Sequence, residues 1–323
     1  MKTKFIFAAL LACTVFGTNA QNAQDEHNGK TILQVFGNFH SGFGSQRDDR
    51  GFELERSYLG YEYSFGKSLS VKGVMDIGAS TDDYERIAYI KNAQISYKTG
   101  RLTLNGGLIS TTQFNMQEKF WGYRYVMKSF QDLYKFGSSA DLGLSATYRF
   151  ADWISADAII VNGEGYKMEQ TDDGLLYGLG ATINPFKGLT LRVYGGINEG
   201  VEDGEENTVN YAMFAGYRNN LFSIAAEYNI LQNAKFKDNH DQYGLSIYGS
   251  LKLDKNCEIY ARYDDLSSKD DWNEAKDESA VMAGAQFKLG KNVKIAPNIR
   301  VIMPKADGSD EKCMGYISCY FGL

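Results

Sequence analysis

Between Thr111 and Ser138 the chain concentrates Lys119, Arg124, Lys128 and Lys135 among Phe114, Phe120, Trp121, Tyr123, Tyr125, Phe130, Tyr134 and Phe136, with only Glu118 and Asp132 opposing them. Fixed cations on an aromatic support attract anions without making or breaking bonds. Covalent chemistry has few candidate groups. Cys257, Cys313 and Cys319 form no Cys-x-x-Cys, and His27, His40 and His240 are scattered, so no zinc ligand set is present. The acid pairs Asp82-Asp83, Asp172-Asp173 and Asp270-Asp271 could take calcium but read first as hydrated surface. A barrel-embedded hydrolase would need a Ser-His pair and an orienting acid, and His40 is the only histidine within a candidate strand. Enzymatic activity and a cofactor are therefore not expected.

Those residues need elements to hold them. From residue 31 onward apolar and polar residues alternate with a period of two, giving sixteen candidate strands. Tight turns such as Phe65-Gly66-Lys67-Ser68 and Leu289-Gly290-Lys291-Asn292 alternate with longer connections. Apart from 111–138, seven of the longer connections together hold 24 acidic residues against 10 basic ones. An antiparallel meander with two such different ends predicts an all-β fold, a transmembrane antiparallel β-barrel of about sixteen strands with short periplasmic turns and long outer loops. Residues 21–323 are expected to form this single barrel domain.

Each strand separates into an apolar and a wet face. Leu189, Leu191, Val193 and Ile197 alternate with Thr190, Arg192, Tyr194 and Asn198, and Tyr243, Leu245, Ile247 and Leu251 with Gly244, Ser246, Tyr248 and Lys252. Lipid on the apolar face predicts that Arg at Leu191 or Ile247 is costly and that Arg at Thr190 or Ser246 is tolerated. Outward aromatics gather near strand ends, Phe65, Tyr97, Tyr148 and Phe150 by the short turns and Tyr177, Tyr211 and Tyr228 by the long loops, as interfacial girdles do.

By the same parity Arg56, Lys72, Arg192, Arg262 and Arg300 stand on the lumen wall, where basic positions outnumber acidic ones. The excess predicts weak anion preference, with nearly unselective diffusion through a mixed polar wall as the alternative. A sixteen-stranded interior is wide, and the ordered, aromatic stretch 111–138 is expected to fold toward the lumen as its third loop and narrow it. Its four cations, Arg124 and Lys128 foremost, would line the constriction. A lid over the outer rim is the competing arrangement.

Lys2 and Lys4, the apolar run Phe5 to Phe16 and Gly17-Thr18-Asn19-Ala20 have the order of a secretory signal, so residues 1–20 are expected to be removed on export. A net charge of −6 and a pI near 5.3 exclude the basic stripe a nucleic-acid binder needs.

The stretches Phe52-Glu53-Leu54-Glu55-Arg56-Ser57-Tyr58-Leu59-Gly60-Tyr61-Glu62-Tyr63, Gly107-Leu108-Ile109-Ser110 and Gln117-Glu118-Lys119-Phe120-Trp121-Gly122-Tyr123-Arg124-Tyr125 resemble outer-membrane porins of Bacteroidetes-type bacteria, distantly similar to the phosphate-selective porin O and P family. The resemblance spans the mature chain and rests mostly on wall and loop segments. It implies a bacterial outer-membrane porin passing small hydrophilic solutes or ions, in contact with lipid and lipopolysaccharide, with a homotrimer as one assembly such a barrel could form. The chain ends on Leu323 rather than the Phe common at such termini. An adhesin, or a partner of a glycan-uptake system, is the alternative that the acidic loops leave open.

Overall fold

A computed structural model describes residues 28–79 and 86–323. Residues 1–20, expected to be an export signal, and the Asp82-Asp83 pair lie outside the described residues.

Sixteen antiparallel strands follow one another around a closed barrel. They are β1 (Asn28–Phe43), β2 (Arg50–Phe65), β3 (Leu69–Ala79), β4 (Ile87–Thr99), β5 (Leu102–Ser110), β6 (Ala140–Ala151), β7 (Ile154–Val161), β8 (Leu176–Ile183), β9 (Leu189–Asn198), β10 (Thr208–Arg218), β11 (Phe222–Gln232), β12 (Gln242–Lys252), β13 (Cys257–Ser268), β14 (Glu278–Leu289), β15 (Val293–Pro304) and β16 (Lys312–Gly322). Each strand pairs with its sequence neighbours, and β1 closes on β16 from Gln34 opposite Gly322 to Phe43 opposite Cys313. Closure gives every strand two partners and so leaves no unpaired edge. Short turns follow the even-numbered strands and longer connections the odd-numbered ones.

The apolar residues face outward. Leu59, Val71, Ile95, Leu144, Leu179, Val193, Ile224 and Ile247 are exposed on the outer surface, an arrangement water would penalise and a lipid belt stabilises. Tyr63 packs edge-on against Phe65, and Tyr148 against Phe150, at the short-turn end.

Of the four register shifts among the described residues of the barrel, two turn an extra charged residue inward. Phe36 pairs with Arg56 and Gly37 with Leu54, leaving Glu55 as the extra residue in β2. Val74 pairs with Asn92 and Met75 with Ile90, leaving Lys91 as the extra residue in β4. At each place two successive residues turn inward, because a bulge sets two positions opposite one.

The buried apolar cluster lies inside the barrel. Phe36, Tyr58, Val74, Phe214, Tyr248, Tyr260 and Met282 from the strands surround Phe120, Trp121, Tyr123, Tyr125 and Val126 from the connection between β5 and β6. That third loop therefore fills part of the lumen, as the aromatic content of 111–138 predicted, and does not lie over the rim.

Candidate functional site

The third loop holds two short helices, α1 (Asn115–Trp121) and α2 (Phe130–Leu133). α1 stops at Gly122, whose φ of 75° is open to glycine and strained for other residues. The loop is seated by apolar knobs in backbone recesses. Phe130, fully buried, lies where a Cβ on Gly244 would come within 2.1 Å of its ring, and Phe120 lies 2.7 Å from the corresponding point on Gly216. Trp121 meets Tyr248 with ring centroids 5.2 Å apart, and Tyr123 meets Tyr260 at 4.4 Å.

Four arginines of the facing wall then clamp the loop backbone. Arg192 Nη2 donates to Thr112 O at 2.6 Å, Arg262 Nη1 to Lys128 O at 2.6 Å and Arg300 Nη2 to Val126 O at 2.6 Å, while Arg218 donates to Phe120 O. Arg192 is bidentate on Asp157, and Arg262 on Asp264 at 2.8 and 2.7 Å. A planar guanidinium has donors enough to hold a carboxylate and a carbonyl together, which an ammonium on one flexible stem does less well. Tyr125 Oη adds a hydrogen bond to Gln286 Oε1 and Tyr134 Oη one to Glu278 Oε1.

The clamp changes what the wall residues can do. Arg192 and Arg262 point inward, as parity places them, yet are buried beneath the loop, and Arg300 also carries a loop carbonyl. Arg192 and Arg262 keep their guanidinium groups from open water, and Arg300 is half-buried. Ser246, expected to tolerate Arg, is 0% exposed between Gly244 and Tyr248, both of which touch the loop, so inward there means packed and not wet. Arg56 and Lys72 sit on the opposite wall. Arg56 Nη1 is 3.3 Å from Asp76 Oδ2, and Lys72 stands opposite Glu62 in the β2–β3 register.

The loop cations divide in the same manner. Arg124 lies between the loop's two acids, 3.4 Å from Glu118 Oε2 and 3.2 Å from Asp132 Oδ2. Lys128 stands 3.9 Å from Asp132 Oδ1, and burial holds its ammonium below the ordinary lysine range against that carboxylate's pull. Lys119 and Lys135 are exposed.

Open space remains in two places against the third loop, an outer one bordered mainly by β6–β11 and an inner one beside β1–β5. An outer cavity of about 570 Å³ has Arg56, Lys128, Lys135, Lys167 and Lys235 on its lining, with Asp132, Asp141 and Glu164. An inner cavity of about 670 Å³ has Lys30, Lys72, Lys91, Lys119, Arg124 and Lys294, with Glu62 and Glu118. Ser139 lines both. Lysines thus outnumber carboxylates on either side of the narrowing.

Strand parity overlooked several of these groups. Lys91 Nζ is 3.2 Å from Tyr58 Oη and lies over the rings of Tyr58 and Tyr166. Glu53 and Glu55 accept hydrogen bonds from Asn38 Nδ2 at 3.0 and 2.7 Å, in the inward set displaced by the β2 bulge. The available signal was two adjacent polar residues, Glu55-Arg56 and Lys91-Asn92, interrupting the alternation. Tyr166 and Lys167, from the connection between β7 and β8, had no periodicity to mark them. Among the described residues no group of three or more His, Cys, Asp or Glu is arranged to hold a metal ion. His40 is set between Asn38 Oδ1 at 3.0 Å and Asp49 Oδ1 at 3.3 Å.

No protein-family model and no curated protein matches the chain. Its architecture is shared with solved bacterial porins. Salmonella typhi OmpF, in complex with daunomycin, is 13% identical with a TM-score of 0.69, covering 94% of this chain and 100% of its own. The anion-selective porin of Comamonas acidovorans is 12% identical with a TM-score of 0.68, covering 92% and 100%. Pseudomonas putida OprB, in a high-pH structure, is 10% identical with a TM-score of 0.68, covering 92% and 94%. At such identities the likeness is one of fold: the chain is a closed sixteen-stranded barrel of the kind outer-membrane porins have.

Proposed function

We propose that the protein is an outer-membrane channel through which small hydrophilic solutes and ions diffuse passively, with a weak preference for anions. The observation that carries this reading is the pair of charge-lined cavities flanking the third loop, the outer bordered mainly by β6–β11 and the inner by β1–β5, sharing Ser139 and bearing more lysines than carboxylates. A wall with surplus fixed charge raises the local concentration of counter-ions and so biases a wide pore without closing it to others. Lys119, Lys135 and Lys91 carry the bias, since Arg124 and Lys128 stand against loop carboxylates and Arg192, Arg262 and Arg300 hold the loop in place.

The outward apolar belt supports an outer-membrane location, in contact with lipid and lipopolysaccharide, with residues 1–20 as the export signal and 21–323 as one barrel domain. A homotrimer and kinship with Bacteroidetes porins belong to the same reading, the latter resting on the segment Phe52 to Tyr63. A diffusion channel needs no catalytic group, and His40, the histidine nearest to a hydrolase reading, is engaged by Asn38 and Asp49. Purified protein in planar bilayers under a KCl gradient should conduct, with a reversal potential displaced toward that of chloride. Absence of conductance would overturn the reading.

A further inference from the structure

The connection between β7 and β8 is fixed at its base by Asp141, whose carboxylate accepts from the backbone N–H of Gly163 at 2.9 Å and of Gly165 at 3.2 Å. Both glycines have positive φ, 111° and 84°, and Tyr166 N–H donates to Ala140 O at 2.9 Å. This turn sends the next two side chains into the lumen. Tyr166 Oη donates to the Asp76 carboxylate on β3, several strands away around the wall, where Arg56 also lies. Its ring stands edge-on to Tyr89, with centroids 6.5 Å apart. Lys167 Nζ lies over the rings of Tyr89 and Tyr166, at 5.5 and 5.8 Å, on the wall of the outer cavity that also carries Lys128 and Asp132. Partial desolvation and the neighbouring Arg56 hold the Lys167 ammonium below the ordinary lysine range. From Lys167 to Thr171 the connection is exposed, so the Tyr166–Asp76 contact is its fastening to the far wall.

We propose that this fourth loop is a strap across the lumen, latched by Tyr166 on Asp76, and that it sets the width of the outer passage and, through Lys167, the charge at its mouth. The proposal rests on the channel reading. It gives Asp76 and Arg56 a part beyond lining the wall: they form the catch. The strap and the third loop are then two jaws of one narrowing, the third fixed by four arginines and the fourth joined to the far wall by one side-chain hydrogen bond and the ring contacts of Tyr166 and Lys167 with Tyr89.

The test uses the folded full-length protein and the variants Tyr166→Phe and Lys167→Glu. A hydrogen bond to a charged group, once removed, should raise the unlatched population roughly tenfold or more. Tyr166→Phe should therefore speed amide hydrogen exchange across 163–168 and raise single-channel conductance and open-channel noise. Lys167→Glu should leave exchange near that of the wild type and move the reversal potential toward cation preference. A conducting wild type whose Tyr166→Phe variant keeps its exchange rates and conductance would overturn the latch while leaving the channel intact. Faster exchange with unchanged conductance and selectivity would overturn it as well, by making the loop a brace. A wild type that does not conduct would overturn the channel reading and this proposal together.

Discussion

The two sides of the lumen hold cations in opposite states. Along β9, β10, β13 and β15, Arg192, Arg218, Arg262 and Arg300 each donate to a carbonyl of the third loop, and two of them also hold buried carboxylates. Along β1–β4, Lys30, Lys72 and Lys91 border the inner cavity, and Lys91 has tyrosine rings and a phenol oxygen for company. Inward position alone therefore does not identify a pore-lining charge. What separates the two sets is acceptor supply: the loop backbone brings carbonyls to the four arginines, whereas Lys30, Lys72 and Lys91 border the inner cavity.

The comparison is broken most directly by removing a clamp residue. Arg262→Ala leaves Asp264 buried beside Glu227 without its guanidinium, which should cost about 3–5 kcal/mol. Lys91→Ala on the other side should cost almost nothing. Urea unfolding of the folded barrel in detergent checks both, and equal losses would remove the distinction. The lipid face provides the next largest contrast. Ile247→Arg should destabilise by about 2–4 kcal/mol at mid-bilayer. Ser246→Arg should also be destabilising, by overpacking beneath the loop, whereas Thr190→Arg, near the short-turn end, should be tolerated; the same titrations decide among the three.

Gly244→Ala sharpens the picture of how the loop is seated. The new methyl group meets the buried Phe130 ring, and displacing a packed ring should cost about 1–3 kcal/mol and loosen the loop, seen as higher open-channel noise in bilayers. Excision of residues 115–132 should raise single-channel conductance outright, and unchanged conductance would place the limiting narrowing elsewhere. The smallest effect expected is on selectivity with pH. Lys167, at the mouth of the outer passage, is held below the ordinary lysine value, so it loses charge before an ordinary lysine as pH rises. Anion preference should therefore start to fall at a pH below the ordinary lysine value of about 10.4. Reversal potentials measured from neutral to alkaline pH would show it, and Lys167→Arg should delay the fall.

Strand number, face assignment and the two unlike ends were legible in the chain because they depend on local geometry. A side-chain period of two and turn residues at fixed offsets are properties of a few neighbouring residues, so Leu191 outward and Arg192 inward follow from the stretch 189–198 alone. The inward fate of 111–138 was legible for a related reason: so much aromatic surface needs a place to be buried. The local pattern broke where pairing counted more than alternation. The bulges at Glu55 and Lys91 arise from how β2 meets β1 and how β4 meets β3, and each turned a charge inward that simple parity set aside.

What only the tertiary structure decided is which of the inward charges is free. Arg192 and Lys72 have the same signature in the sequence, a basic residue between apolar ones. They differ because Thr112 O, eighty residues from Arg192, comes to rest on one guanidinium, whereas Lys72 stands opposite Glu62 and borders the inner cavity. The crossing of Tyr166 to Asp76 is likewise a contact between segments ninety residues apart. Such pairings depend on closure of the barrel and on the volume left inside it, and a one-dimensional pattern of residue types contains neither quantity.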